Sequence, residues 1–418
     1  MNAQSEEAGK TASRRIKAKT KLWRVRALMR LLLERAYAAA DLLWPKAPQR
    51  IVFGENKGET FSGGCSDLFC YMAAQPDADV YWFTGCLSVA LAVNAIYPGR
   101  AVLANSLRAL LIGLSSRLFV ISHSRRDLGV LAYCTRKKFI QLTHGTGVKT
   151  IGFTKVGQNI EEMRRESATY SRLVSLSTFD SEVLWRPSYG LSSEQVWITG
   201  APRNDKLFTP DTSILVTTPL FQKKVILFAP TFRDWGLLEN YLPVGDICVT
   251  ALLKTLEEFD AILLIRPHPY DAAAGRKTVD VIGSSRVQMA DSETYPEVTT
   301  ILPFVDILIT DYSSVYVDFL LLDRPMIFTP TDLDKYKADR GHVFDYEAHT
   351  PGAKVVSGEE FLNALRLELS AEDPYRDARA ILKRKFHEFS DGRSTERVAA
   401  QLQAALGMLR SSKALELN

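Results

Sequence analysis

The chain holds 418 residues, with 52 lysines and arginines against 48 aspartates and glutamates for a net charge of +4. This length suits two or three domains, and 46% hydrophobic with 24% charged residues excludes disordered and collagen-like classes. So small a net charge excludes a whole-chain nucleic-acid binder, and five scattered cysteines without a close pair exclude a disulfide framework and predict a reducing compartment.

In chain order the first feature is residues 1–48. From Lys10 to Lys46 eleven basic residues face two acids, Glu34 and Asp41. Trp23, Leu28, Leu31 and Leu32 recur at near-helical spacing among Arg24, Arg26, Arg30 and Arg35, and Pro45 and Pro48 close the segment. A basic amphipathic helix of this kind suits an anionic membrane surface; a solvated helix packed on the domain is the competing reading. No run of about 18 apolar residues predicts a spanning helix, and no apolar core with a small-residue cleavage site predicts a signal peptide.

Residues 49–206 alternate short β-branched runs with helical stretches. The predicted strands are Ile51–Phe53, Val80–Phe83, Leu118–Ile121, Phe139–Leu142, Leu173–Leu176 and Val196–Thr199. Residues 207–222 lack periodicity, hold Pro210 and Pro219, and read as a linker. Residues 223–372 repeat the pattern, with strands at Val225–Phe228, Ile262–Ile265, Ile307–Thr310 and Met326–Phe328, and residues 373–418 read as helices. The pattern predicts an α/β fold of two parallel-sheet, Rossmann-like domains. Ligands in such sheets sit beyond the carboxyl ends of the strands, so two facing domains place a cleft there.

The unusual residues follow the strands. His144 lies in Gln141-Leu-Thr-His-Gly-Thr-Gly147, where the glycines allow close backbone approach to a ligand. A neutral imidazole there can take a proton from an attacking hydroxyl; a turn histidine that satisfies backbone groups is the bland alternative. Thr231 and Arg233, in Ala229-Pro-Thr-Phe-Arg, offer a hydroxyl and a guanidinium to phosphate oxygens, or form an ordinary turn. Arg266 and His268, in Arg266-Pro-His-Pro, stand on a proline-stiffened segment and suit either charge stabilisation on a phosphate or a structural role. In Asp311-Tyr-Ser-Ser314 the spacing predicts a helix starting near Ser313, with free N–H groups and two hydroxyls as an anion site. Asp318, just over a turn further, suits a ribose hydroxyl or solvent. No Gly-x-Gly-x-x-Gly follows a strand, no Walker loop occurs and no residues have metal-ligand spacing, so NAD, ATP hydrolysis and tight metal binding are not indicated.

Together these motifs resemble the CDP-glycerol glycerophosphotransferase family, which primes and polymerises teichoic acids and related capsule polymers. The resemblance runs from about Gln141 to Pro351. Its most specific part is Ile309-Thr-Asp-Tyr-Ser-Ser followed by Asp332-Leu-Asp334, Tyr336, Arg340-Gly341, Phe344-Asp345 and Pro351-Gly352. It implies a GT-B-like fold and a donor nucleotide in the C-terminal domain. It further implies His144 as general base, His268, Arg233, Ser313 and Ser314 on the donor pyrophosphate, and Asp318 on the ribose. The implied partners are CDP-glycerol, a lipid-linked or polymeric acceptor and the cytoplasmic face of the cell membrane, with no tightly bound cofactor. Whether the chain forms a homo-oligomer is not fixed by the sequence. Ribitol-phosphate transferases share the motifs, and a GT-B glycosyltransferase or a non-enzymatic scaffold are the other classes. Before about residue 135 no motif matches, so acceptor contacts there are unassigned.

Overall fold

The structure is a computed structural model, and it describes residues 35–133, 137–213, 215, 222–233, 241–370 and 372–415. Most of the basic segment expected to reach a membrane lies outside the described residues. Its end does not: residues 35–43 are helical, and Asp41 there pairs with Lys46 and Lys137.

Two wholly parallel sheets organise the chain. The first contains β1 (Ile51–Phe53), β2 (Val80–Thr84), β3 (Ala101–Leu103), β4 (Leu118–Ile121), β5 (Lys138–Gln141), β6 (Tyr170–Ser175) and β7 (Val196–Ile198), in the order β3-β2-β1-β4-β5-β6-β7. The second contains β8 (Lys224–Phe228), β9 (Ala261–Ile265), β10 (Val287–Met289), β11 (Ile307–Thr310), β12 (Met326–Phe328) and β13 (Ala353–Lys354), in the order β10-β9-β8-β11-β12-β13. Each strand pair is parallel, for example Ile51 beside Val80 and Leu118, or Ile307 beside Ile226.

The strands are apolar on both faces because both are covered. Within β1, Ile51 and Phe53 enter one core and Val52 the other; within β8, Val225 and Leu227 separate from Ile226 and Phe228 in the same way. The first sheet's near face is covered by α1 (Gly63–Ala73) and α2 (Leu87–Ile96), its far face by α3 (Leu107–Ser115). Around the second sheet run α4 (Val249–Glu258), α5 (Ala272–Ile282), the five-residue α6 (Val315–Phe319), α7 (Leu333–Arg340) and α8 (Gly358–Leu369).

After α9 (Arg376–Phe386) the chain returns to the first domain. There α10 (Ser394–Leu415) adds Val398, Ala399, Leu402 and Leu406 to the core that holds Ile51, Phe53 and Leu68. The Asp205 carboxylate caps its start, accepting from the Ser394 and Thr395 amides at 2.9 and 2.7 Å. The helices expected at residues 373–418 therefore serve both domains.

Each sheet reverses strand order once, between β1 and β4 in the first and between β8 and β11 in the second. Crevices at such switch points take ligands in doubly wound sheets. Among the described residues no helix is long and apolar enough to cross a membrane.

Candidate active site

The turn after β5 carries His144. Thr143 sits at φ +61°, a conformation that non-glycine residues adopt at a cost of about 1–3 kcal/mol and that clusters at functional sites. Gly145 sits at φ +156°, and a Cβ there would stand 3.3 Å from the Ser314 hydroxyl oxygen. The His144 turn of the first domain therefore packs against the Ser313–Ser314 turn of the second.

The His144 side chain is exposed, although protein crowds around it. It stacks on His123, with centroids 4.2 Å apart and planes 7° apart. Its Nδ1 lies 3.5 Å from the Ser122 carbonyl, a long contact in which only nitrogen can donate, so the neutral ring carries its hydrogen on Nδ1 and its lone pair on Nε2. Crowding, with the nearby His123, Arg203 and Lys149, lowers its pKa to about 3 against a weak opposing pull from the Ser122 carbonyl. Its exposure tempers the crowding, and the imidazole is neutral at pH 7.

His268 follows β9 and is exposed. Its Nδ1 accepts the Tyr270 amide at 3.3 Å, so the neutral ring carries its hydrogen on Nε2 as a donor. Phe232 and Tyr270 flank it at 4.9 and 5.0 Å between centroids. Burial lowers its pKa, Lys149 adds to this and Asp271 opposes it. Lys149 thus acts on both His144 and His268. It stands in the same glycine-rich loop as His144, and sequence reading gave it no role.

The second domain's switch point opens into a cavity of about 310 Å³, lined in part by Pro230, Arg233, Asp311 and Thr329. Thr231 donates its amide to Asp311 at 2.8 Å, and its buried hydroxyl has no hydrogen-bond partner among the described residues. Ser313 and Ser314 are half-buried. The helix expected to start near Ser313 begins at Val315 and lasts five residues, and Ser314 makes no side-chain cap. The turn therefore offers hydroxyls and amides, without the aligned dipole of a long helix.

Three expected donor contacts are engaged elsewhere. Arg233 is buried: Nε and Nη2 donate to Asp332 at 2.8 and 3.0 Å, Nη2 pairs with Asp311 at 2.8 Å, and Nη1 donates to the Thr231 carbonyl at 2.5 Å. Burial opposes its charge, but the two carboxylates outweigh that and raise its pKa. It also lies over the Tyr312 ring at 5.0 Å, so it braces the Asp311 turn. Arg266 donates from Nη1 to the Ala290 and Tyr295 carbonyls at 2.9 and 2.8 Å and pins that loop. Burial lowers its pKa to about 10. Asp318, expected at a ribose, is 6% exposed and joins the domains: it accepts Arg203 Nη2 at 2.8 Å and Asn204 Nδ2 at 3.0 Å. A carboxylate that deep is held by its cation, and both oxygens face Arg203.

The sequence reading also missed the first domain's own switch point. Glu55 follows β1, and Ser122 and His123 follow β4. The Ser122 hydroxyl lies 2.7 Å from His123 Nδ1. Asp127 accepts the amides of Lys57, Ser122, His123 and Ser124 and so ties both loops together. Burial pushes the Glu55 carboxyl up to about 8, with Asp127 adding to it and hydrogen bonds from Ser122 and Cys65 opposing. The only sequence signal was position, immediately after two β-branched runs.

Two Rossmann-like domains meeting at their strand ends, with a neutral histidine facing a hydroxyl-rich turn, define a GT-B-type transferase. The chain belongs to the CDP-glycerol:poly(glycerophosphate) glycerophosphotransferase family, whose profile matches residues 36–403. The teichoic acid glycerol-phosphate transferase of Staphylococcus aureus (strain NCTC 8325 / PS 47) is 28% identical over 391 residues, covering 88% of this chain and 96% of that protein. The teichoic acid ribitol-phosphate polymerase TarK of the same strain is 29% identical over 311 residues, 70% of this chain but only 57% of that protein. The structure of the wall teichoic acid polymerase TagF has the same fold, with a TM-score of 0.73 at 23% identity over 92% of this chain and 97% of that one.

Proposed function

We propose that the chain transfers glycerol phosphate from CDP-glycerol to a hydroxyl of a lipid-linked or polymeric acceptor and releases CMP, in the synthesis of a teichoic-acid-type polymer. The observation that carries this reading is the packing of the His144 turn against Ser314, which sets a proton acceptor opposite phosphate-type donors. The acceptor oxygen attacks the glycerol-bearing phosphorus. The bond from that phosphorus to the bridging oxygen breaks, CMP leaves with the electron pair, and His144 Nε2 takes the hydroxyl proton. Phosphoryl transfer of this kind depends on positioning and charge stabilisation. His268 Nε2–H, the Thr231 hydroxyl and the Ser313–Ser314 turn are assigned to the pyrophosphate, with Lys149 as the shared cation. Arg233, Arg266 and Asp318 enter as the residues that hold this site's loops and domains in place. The scheme uses CDP-glycerol as donor substrate and no resident cofactor.

Relatives include a ribitol-phosphate polymerase, which makes CDP-ribitol the second donor to test. Incubation with CDP-glycerol, CDP-ribitol and nucleotide sugars, each with a lipid-linked acceptor, should give CMP fastest from CDP-glycerol. Faster turnover of CDP-ribitol would shift the assignment to ribitol phosphate, and release of a nucleoside diphosphate from a nucleotide sugar would make the chain a glycosyltransferase.

The proposal places the enzyme peripherally on the cytoplasmic face of an anionic membrane. Support comes from the first domain's edge as well as from the basic N-terminal segment. On either side of the edge strand β3, Leu87, Leu91 and Ile96 of α2 and Leu107 of α3 are 60–71% exposed. Between Asp79 and Asp127 the sequence holds five arginines and no acid. Exposed apolar side chains on a stretch with arginines and no acid suit an anionic lipid surface.

A further inference from the structure

We propose that His123 is a positioning residue for His144: its ring forms the face on which the base imidazole rests, and the Ser122 hydroxyl holds that ring in place. This rests on the reading of His144 as the base.

The geometry is specific. The two imidazoles are 4.2 Å apart and within 7° of parallel, a stacked pair. They come from the ends of neighbouring strands, β4 and β5, and β4 borders the first sheet's switch point. The His123 ring is fixed through Nδ1 by the Ser122 hydroxyl at 2.7 Å, and the buried Glu55 carboxyl lies close enough to feel that hydroxyl. The His123 backbone is fixed as well, its amide by Asp127 at 2.9 Å and its carbonyl by Gln141 Nε2 at 3.2 Å. The Glu55 carboxyl is seated by the Cys65 amide at 3.0 Å and by Gly63, where a Cβ would come within 2.5 Å of its oxygen. Non-glycine residues Asn56 and Lys57 of the same loop have positive φ, a second point of strain beside the first at Thr143.

The arrangement has a chemical consequence. When His144 takes the acceptor's proton it becomes a cation lying on the His123 face. A neutral aromatic face accommodates that cation, whereas a second imidazolium would repel it. The groups that act on the pair are Lys57 on His123, and Arg203 and Lys149 on His144, while Glu55 and Asp127 lie behind Ser122. Crowding, with Lys57 adding to it, keeps His123 uncharged, in agreement with its lowered pKa of about 4. His123 therefore orients the base and leaves it the only ring of the pair to be charged.

The test uses the full chain with CDP-glycerol and a lipid-linked acceptor, comparing wild type with His123→Ala and His123→Phe. His123→Ala is expected to lower kcat by ~10-fold or more while KM for CDP-glycerol stays within ~2-fold, the pattern of a group that acts in the transition state. It is also expected to move the acid limb of the pH–rate profile upward by ~0.5 unit or more, because crowding and a neighbouring imidazole are both removed. His123→Phe keeps a flat face and is expected to restore most of kcat. The chain has six histidines, so the His144 ring can be followed by NMR, identified by its loss in His144→Gln. Its titration should rise in His123→Ala and rise less in His123→Phe. The proposal is overturned by a His123→Ala enzyme with unchanged kcat and His144 titration, by a defect confined to KM, or by His123→Phe as impaired as His123→Ala at an equal melting temperature. Wild-type protein that releases no CMP from CDP-glycerol would instead overturn the proposed function, and the NMR titration would still decide on the stack.

Discussion

At the scale of single residues the site works by keeping groups uncharged where charge will develop. His144 is stacked on His123 with Arg203 and Lys149 acting on it, so in the proposed reaction it starts as a free base. Glu55 shows the same physics in an acid. Its folded pKa lies near 8, above its unfolded value, so between about pH 5 and 8 the native state keeps a proton that the unfolded state has lost. This contribution to stability is fully present below the unfolded pKa and is lost as pH rises through 8, with a slope of up to about 1.4 kcal/mol per unit. Urea denaturation at pH 5, 7 and 9 should show that fall in wild type and a flatter response in Glu55→Gln; equal slopes would show that Glu55 ionises normally in the fold. Of these residues, His144 and His268 were legible because histidines beside glycines or prolines after strands are unusual. Glu55 and His123 were not, because a lone acid and a lone histidine between serines carry no motif. What distinguishes them is burial and stacking, which only the fold creates. Arg233, Arg266 and Asp318 read as ligand contacts because their residue types suit phosphate and ribose; the fold also gives them Asp332, the Ala290 carbonyl and Arg203, 99, 24 and 115 residues away, which no local motif announces.

At the scale of elements, every interior strand of both sheets was visible as a β-branched run. The three that were not, β3, β10 and β13, are all at sheet edges. These three have one neighbour and two or three paired residues each, little to imprint a hydrophobic run, although the fourth edge strand, β7, was read from Val196–Thr199. The crossing of α10 back to the first domain was equally hidden, since an amphipathic helix does not name the face it covers. The helices flanking β3 make a prediction of their own. Replacing Leu91 and Leu107 by Glu should reduce co-flotation with vesicles containing anionic lipid by ~10-fold or more, given the loss of two apolar contacts and the gain of two like charges. CMP release with a soluble acceptor should be unaffected. Undiminished flotation would place membrane contact on the N-terminal segment alone.

At the scale of the whole molecule, function depends on two domains held at one spacing. Asp318 with Arg203 and Asn204 is a buried bolt between them, and Glu297 adds a second through Lys206 at 2.6 Å and the Gly63 amide at 2.8 Å. Breaking one partner of a buried pair leaves an uncompensated charge and costs about 3–5 kcal/mol. Arg203→Ala should therefore destabilise the protein by that order in urea denaturation, and Arg203→Leu combined with Asp318→Leu should recover part of it. An Arg203→Ala protein within ~0.5 kcal/mol of wild type would show that the bolt does not hold the domains.

The bolt matters because the central claim is a meeting of groups from both domains, the His144 base and the hydroxyl-rich turn beside it. The direct measurement is the rate of CMP release from CDP-glycerol with a lipid-linked acceptor, in wild type and His144→Ala, with the lipid product sized by mass spectrometry. The account predicts a product heavier by glycerol phosphate units and a rate at least ~10²-fold lower in His144→Ala, the lower end for loss of a general base. A His144→Ala protein that turns over at the wild-type rate would contradict it.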